Sequence, residues 1–292
     1  MTQTARMGHL AMLLFSVLVA GSFALGVLAA NDISPMALNA VRFWIAAAII
    51  GAIVVARGGV PRAALAAPWR YLVLATVFTL YFVLMFEGLK TAPSVSAAAV
   101  FTLTPLLTAA VGWLLLRQGV TPRIAFALTI GALGALWVIF RADLQAMLRF
   151  DVGRGELIYF VGCISHSFYT PLVRKLNRGE SALVFTFGTL VAGAALLTVL
   201  GWFDIMSTPW LMLPSIVWVT ILYTAIFASA ATITLLQFAA LRLPSSKVMA
   251  YTYLTPAWVI LWNVGLGAAL PPLTVGFGVA MTIVALVLLL RD

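Results

Sequence analysis

Runs of about twenty residues with at most one charged side chain recur along the whole chain. A helix needs about 20 apolar residues to cross a hydrocarbon core of roughly 30 Å. Such runs cover residues 10–30, 36–55, 71–86, 91–116, 124–140, 157–173, 181–203 and 215–240. The stretch 248–290 is too long for one helix and divides at Pro271 and Pro272, because proline cannot continue a helix. The pattern predicts an all-α integral membrane protein with ten transmembrane helices.

The composition excludes a soluble fold. Of the 292 residues, 64% are hydrophobic and 9% are charged, and the mean hydropathy is +1.13. A soluble domain has roughly a quarter of its residues charged. The alternative for residues 10–30 is a cleaved signal peptide after Arg6, but the run is too long for one and nine similar runs follow it. The single cysteine, Cys163, excludes an internal disulfide.

The basic residues predict the orientation, because cytoplasmic loops are enriched in Lys and Arg. If the N-terminus is inside, four basic residues are outside: Lys90, Arg141, Arg149 and Arg154. Twelve are then inside: Arg6, Arg57, Arg62, Arg70, Arg117, Arg123, Arg174, Lys175, Arg178, Arg242, Lys247 and Arg291. Both termini are therefore expected in the cytoplasm, and the net charge of +9 is a topology signal rather than a nucleic-acid-binding surface.

The chain contains an internal repeat. Residues 93–105 and 244–256 both begin with Pro-Ser and end with Leu-Thr-Pro, at an offset of 151. A weaker echo joins Gly-Ser-Phe at 21–23 to His-Ser-Phe at 166–168. The echoes predict two five-helix repeats, residues 1–146 and 147–292. Because five is odd, the second repeat is inverted in the membrane, as in many secondary transporters, whose substrate site lies where the halves meet.

The chain resembles the EamA-type, ten-helix exporters of the drug/metabolite transporter superfamily over nearly its whole length. The residues that carry this resemblance are Ser22, Phe23, Pro35, Arg42, Phe43, the connection 88–94, Pro105, Gly131, Gly134, Pro256, Gly276 and Gly278. The branch that exports aromatic amino acids is the most similar. The resemblance implies export of amino acids, aromatic ones first, or of other small metabolites, by alternating access across a bacterial inner membrane.

Two departures from the family pattern limit what can be carried over. Members often have a glutamate after the fourth and ninth spans, where this chain has Arg117-Gln118 and Gly267-Ala268. Small multidrug pumps of the superfamily use a glutamate in the first span, but residues 10–30 contain no acid. Proton antiport through such a residue is therefore not implied. The alternative within the superfamily is a drug or metabolite/proton antiporter.

Two prolines at matched positions mark the candidate pathway. Pro105 and Pro256 lack an N–H, which leaves the carbonyls of Phe101 and Thr252 without their helical partners. Open backbone near the middle of a membrane is tolerated only inside protein or along a wet cavity. We expect these carbonyls to line a cavity. The alternative is a packing kink relieved by the threonine before each proline.

Polar side chains within the spans have both structural and functional interpretations. Arg42 either extends outward to the interface, attracts a substrate carboxylate or contacts Glu87 as a gate. His166 is either a neutral histidine bonded to Ser165 or Ser22, or part of a cavity wall. Glu87 and Lys90 are three residues apart at a helix end, which fits a surface pair.

These considerations give a set of candidate residues. We expect the substrate pathway to include Ser22, Arg42, Tyr81, Phe101, Thr102, Pro105, His166, Tyr169, Tyr251, Thr252 and Pro256. The candidates for ion coupling are His166 and Glu87. Aromatic walls with a few polar groups suit planar or apolar solutes.

No catalytic, metal or cofactor site is predicted. The spans contain too few acids and histidines for paired-carboxylate chemistry or metal ligation, and no phosphate-binding loop motif occurs. An intramembrane transferase is the rival from a different class, but it is expected to have acids or histidines in sizeable loops. The expected partners are a small-molecule substrate and the lipid bilayer, with no nucleic acid and a monomeric or homodimeric state.

The topology is tested with reporter fusions. Fusions after Arg62 and after Asp292 should report a cytoplasmic position, and a fusion after Asp204 an external one, because the basic residues remain inside. An external C-terminus would remove one helix from the predicted ten and contradict the inverted repeat.

Overall fold

The computed structural model describes residues 3–149 and 151–290, which form helices and no strand. The first half contains α1 (Gln3–Ala29), α2 (Pro35–Ala56), α3 (Arg62–Leu65), α4 (Trp69–Gly88), α5 (Ser94–Phe101), α6 (Thr104–Leu116), α7 (Pro122–Ile139) and α8 (Leu144–Arg149). The second half contains α9 (Arg154–Leu176), α10 (Ala182–Leu200), α11 (Trp202–Ser207), α12 (Ser215–Ala225), α13 (Thr232–Ala240), α14 (Ser245–Ala250), α15 (Thr255–Gly265) and α16 (Leu273–Leu290). The expectation of an all-helical membrane protein is confirmed.

Eight of the described helical segments are long and apolar enough to cross a membrane. They are Arg6–Ala29, Pro35–Ala56, Trp69–Gly88, Ser94–Leu116, Pro122–Ile139, Ala182–Leu200, Ser215–Ala240 and Leu273–Leu290. The sixth expected span falls on α9, whose last turn is basic. The ninth falls on α14 and α15, which a 3-10 turn separates. The count of ten remains a prediction, and the inner Arg291 lies outside the described residues.

Both proline-containing segments are broken helices. A turn at Thr102 and Leu103 separates α5 from α6, and a 3-10 turn (Tyr251–Leu254) separates α14 from α15. Pro105 and Pro256 are the second residues of α6 and α15. A proline in the first turn of a helix costs no hydrogen bond, because its N–H would have no partner there. The prolines therefore begin new helices rather than bend continuous ones.

The bundle is held together by close contacts between the two halves. The pairs α2–α10, α4–α9 and α7–α16 pack along their lengths, and α1 packs against α12, α13 and α15. Glycines allow two of these pairs to approach closely. A Cβ on Gly88 would lie 2.6 Å from the carbonyl oxygen of Gly155, and a Cβ on Gly278 would lie 2.8 Å from that of Gly134. Small residues let helix backbones meet where lipid provides no hydrophobic drive for association.

The close approach of α7 and α16 predicts unequal effects of two similar substitutions. Gly278→Ala should lower stability by about 1–3 kcal/mol, because the backbone of α7 must move to make room. Gly276→Ala meets open space on the same helix and should be neutral or stabilising by roughly 1 kcal/mol through helix propensity. Thermal unfolding in detergent compares the two variants. Equal melting temperatures would contradict the close packing.

Candidate functional site

Eight rings from four helices form a closed aromatic cluster in the middle of the bundle. Its members, all at most 2% exposed, are Phe23, Phe78, Tyr81, Phe82, Phe101, Tyr159, His166 and Tyr169. His166 is central, with ring centroids 4.4 Å from Tyr81, 5.5 Å from Phe78 and 5.5 Å from Phe101. The α9 members follow a helical repeat of three or four residues and therefore share one face. The sequence-predicted Tyr81, Phe101, His166 and Tyr169 thus lie together.

Six buried polar side-chain atoms have no hydrogen-bond partner within the described part of the chain. They are Ser22 Oγ, Thr108 Oγ1, His166 Nδ1, Ser245 Oγ, Tyr253 Oη and Thr255 Oγ1. Leaving a buried polar group unpaired costs about 1–3 kcal/mol. Neither serine that the sequence offered bonds the histidine at Nδ1, since Ser165 donates to the Val77 carbonyl at 2.8 Å. Each such group in a native structure requires an explanation, such as a functional role or a bound water or ion.

A glutamine orients one wall of the aromatic cluster. Gln237 Nε2 donates to the Tyr169 hydroxyl at 2.8 Å, and its Oε1 accepts from Thr186 at 3.1 Å. Tyr169 stacks on Phe78, with ring centroids 4.2 Å apart. Neither Gln237 nor Phe78 is among the site residues predicted from the sequence. The available signal for Gln237 was a lone amide in the charge-free run 215–240.

The carbonyls freed at the two helix breaks have different hydrogen-bond donors. In the first, the Thr104 hydroxyl donates to the Phe101 carbonyl, which is the packing alternative rather than an open cavity lining. In the second, the Thr252 carbonyl accepts from the N–H of Thr255, while the Thr255 hydroxyl stays unpaired. The breaks meet where Thr104 Oγ1 lies 3.4 Å from Thr252 Oγ1. The hydroxyl of Thr102 is satisfied locally by the Ala99 carbonyl at 2.6 Å.

Arg42 does not extend to the interface, because it is fully buried. Its Nε donates to Ser229 Oγ at 2.6 Å, and its Nη2 donates to the Ala228 carbonyl at 2.7 Å. Both acceptors lie in a π-helical segment (Ile226–Ala231) between α12 and α13. A π-helical turn interrupts the normal i to i−4 pattern and is frequent at functional sites. The guanidinium carbon also lies 3.8 Å from the centroid of the Phe82 ring, which joins Arg42 to the aromatic cluster.

Two other candidates lie away from the aromatic cluster. Glu87 does not contact Arg42; its carboxylate accepts from Lys90 at 2.7 Å, with side chains 41% and 31% exposed respectively. The surface-pair interpretation is therefore correct, and the gate contact is wrong. The Tyr251 hydroxyl lies 3.0 Å from His9 Nδ1, nearer the start of α1. In the residues described, no cluster of His, Cys, Asp or Glu could hold a metal ion.

Contacts between the halves close the cluster on the side expected to face outward. The hydroxyls of Tyr81 and Tyr159 lie 2.9 Å apart. One turn nearer the start of α9, the buried carboxylate of Glu156 accepts from Ser96 Oγ at 2.8 Å. In the sequence Glu156 stands just before the apolar run 157–173, and a single acid at the edge of such a run gives no sign of burial. These bonds tie α4 and α5 to α9.

An ion pair joins the halves at the opposite end. Arg70 Nη2 lies 2.6 Å from Glu180 Oε1, and Arg70 Nη1 donates to the Leu176 carbonyl at 2.8 Å. Burial opposes ionisation of Glu180, but bonds from Arg70 and from the Arg178 N–H hold the pKa of this carboxyl below its ordinary value. A lowered pKa means that the pair stabilises the fold at neutral pH and that this contribution is lost as the pH falls.

Comparison with known proteins gives the same class of protein. The chain is 28% identical over 223 residues to the uncharacterized transporter YyaM of Bacillus subtilis, an alignment that covers 76% of this chain and 73% of that protein. A solved crystal structure shares the fold, with a TM-score of 0.74 and 21% identity, and the match covers 99% of this chain and 98% of the other. The sequence profile of the EamA-like transporter family matches residues 6–140 and again residues 153–291. The chain belongs to the EamA-like transporter family.

Proposed function

We propose that this protein exports small metabolites, amino acids first and among these the aromatic ones, across a bacterial inner membrane by alternating access. The observation that carries the proposal is the aromatic cluster, which is enclosed between the halves and contains the unpaired Nδ1 of His166. Aromatic walls with a few convergent polar groups are typical of small-molecule sites. A planar ring would replace contacts that the cluster rings now make with each other.

The proposal includes ten spans arranged as two inverted repeats, residues 1–146 and 147–292. The family profile matches twice, on either side of the same division. In two such repeats α4 corresponds to α12 and α13, and α1 corresponds to α9. The packing of α4 against α9 should therefore have a counterpart in the packing of α12 and α13 against α1, and both packings occur. The same correspondence leaves the pairs α2–α10 and α7–α16 unchanged, as a two-fold axis between the halves would require. Broken helices beside a central site fit the same architecture.

The proposal makes the protein a facilitator, in which accumulated solute runs down its own gradient. A proton-driven carrier needs a group inside the pathway that changes charge. Of the two candidates, Glu87 is a surface residue paired with Lys90, which leaves His166. The first span contains no acid. The rival, a drug or metabolite/proton antiporter, therefore depends on His166, the one interior candidate, whose ring is enclosed by the aromatic cluster.

Flux into liposomes tests both the substrate and the coupling. Purified protein should equilibrate labelled phenylalanine, tyrosine or tryptophan across the membrane, and an imposed pH gradient should produce no accumulation above equilibrium. Uphill accumulation that is abolished in His166→Ala would contradict the facilitator and favour the antiporter. A panel of labelled amino acids that shows no flux above that of empty liposomes would contradict the proposed substrate class.

The helix breaks provide a second test. Pro105→Ala and Pro256→Ala should fold normally but transport more slowly, by roughly tenfold or more, because a continuous helix would remove a hinge between the half-helices. Initial flux rates, normalised to the amount of folded protein, measure the effect. Pro214→Ala, in a connection outside the broken helices, is the matched control and should transport normally. Wild-type rates in both test variants would mean that the breaks serve packing alone.

A further inference from the structure

Arg42 carries a buried positive charge that forms no ion pair with an acid in the described part of the chain. Among residues 3–149 and 151–290, ion pairs join Arg70 to Glu180 and Lys90 to Glu87, and Arg42 takes part in neither. The acids of this part of the chain all lie in connections, in the short α11 or near helix ends: Asp32, Glu87, Asp143, Asp151, Glu156, Glu180 and Asp204. A cation enclosed in a membrane protein is costly, which makes it a functional residue by default.

The guanidinium is held in place by neutral groups and has donors left over. Three of its five N–H groups are used, on Ser229 Oγ, on the Ala228 carbonyl and, at 3.2 Å, on Asn39 Oδ1. The two that remain belong to the terminal nitrogens, one to each. A guanidinium N–H that remains available can donate a charge-assisted hydrogen bond to a carboxylate oxygen. The neutral partners orient Arg42 without cancelling its charge.

The surroundings of Arg42 are adapted to hold it. Asn39 lies one turn earlier on α2, and its own amide donates to the Pro35 carbonyl at 2.8 Å. The π-helical segment offers the Ala228 carbonyl and the Ser229 hydroxyl to the same guanidinium. Phe82 covers one face at 3.8 Å. Residues from both halves of the chain therefore orient one cation, which is how a recognition group is preorganised.

The position of Arg42 relative to the aromatic cluster indicates the chemistry of the ligand. The Phe82 ring that covers the guanidinium lies 4.8 Å from both Phe78 and Tyr81, by ring centroids. Tyr81 lies 4.4 Å from His166. A cation at one edge and aromatic walls beyond it suit a molecule with a carboxylate at one end and a flat apolar group at the other.

We propose that Arg42 is the anion subsite of the transport pathway and that the substrates must carry a carboxylate. This inference deepens the proposed function and rests on it. It separates the substrates of this carrier from the apolar cations that multidrug pumps remove. Ion pairing with the substrate supplies a counter-charge that no described residue gives to Arg42. The amino group of an amino acid is not required at this subsite.

Ligand-induced stabilisation of the detergent-solubilised protein tests the subsite separately from transport. The probes are L-phenylalanine, 3-phenylpropionate, which lacks the amino group, and phenethylamine, which lacks the carboxylate. The first two should raise the melting temperature in a saturable manner, and phenethylamine should not. Equal stabilisation by phenethylamine, or the same stabilisation by chloride alone, would overturn the proposal, and so would no response to any probe.

Substitution of the arginine provides the second arm. Arg42→Gln should weaken phenylalanine binding roughly ten- to hundredfold, as expected for the loss of a charge-assisted hydrogen bond. Arg57→Gln removes an equal charge from the C-terminal end of the same helix and should bind as the wild type does. Unchanged affinity in Arg42→Gln would overturn the proposal. Where Arg42→Gln does not fold, the probe series on the wild type decides alone.

The liposome assay distinguishes this failure from failure of the proposed function. Equal flux of phenylalanine and phenethylamine would support the proposed transport and contradict the anion subsite. Carboxylate-dependent binding without any flux would leave the subsite but contradict transport. Flux of phenylalanine and 3-phenylpropionate, competing with each other and absent for phenethylamine, is the result expected when both are correct.

Discussion

Every backbone polar group within a lipid bilayer must find a partner inside the protein, and the rest of this structure depends on that constraint. It makes the chain helical, and it makes each interruption of a helix costly. The two breaks, at Thr102–Leu103 and at Tyr251–Leu254, are therefore placed deep between the halves. At each break nearby groups occupy freed carbonyls, such as the Thr104 hydroxyl on Phe101 and the Thr282 hydroxyl on Tyr253.

The same constraint explains where the polar chemistry is found. Lipid-facing surfaces can be apolar, so polar side chains concentrate at the contact between the halves. His166, Gln237 and Arg42 all lie there, fully enclosed. The π-helical segment also contributes to this contact, since its Ala228 carbonyl accepts a hydrogen bond from Arg42. In the proposed mechanism the carrier opens alternately to each side of the membrane. These polar groups would then exchange their partners within the protein for water and substrate in turn.

Much of the fold could be predicted from the sequence, because the hydropathy of a segment shows directly whether lipid or water surrounds it. The apolar runs located the helices, and Pro105 and Pro256 located both breaks. The π-helical turn could not be predicted this way, because nothing in the run 215–240 indicates it. The partners of Arg42 depend on that turn, which is why the sequence left three interpretations open.

The sequence also did not show which groups the candidate site residues contact, and this limited the prediction of the site. The aromatic residues Tyr81, Phe101, His166 and Tyr169 were found because they are unusual in apolar helices, and they do lie together. For Glu87 the sequence left a surface pair and a gate contact open, and the structure shows the surface pair. Glu156, which lies between two predicted spans, is buried against Ser96. Both lie at the edge of an apolar run, where a difference of one helical turn in position decides whether a side chain faces water or is buried in the protein.

The proposed transport mechanism requires the aromatic cluster to open to solvent during transport. Ser22, fully buried and with an unpaired hydroxyl, is a suitable reporter. The measurement is modification of Ser22→Cys, in a Cys163→Ala background, by a charged thiol reagent that does not cross membranes. The account predicts that the cysteine reacts and that phenylalanine slows the reaction. A rate no higher than that of Ala285→Cys, a buried position on α16, from either side of the membrane would contradict it.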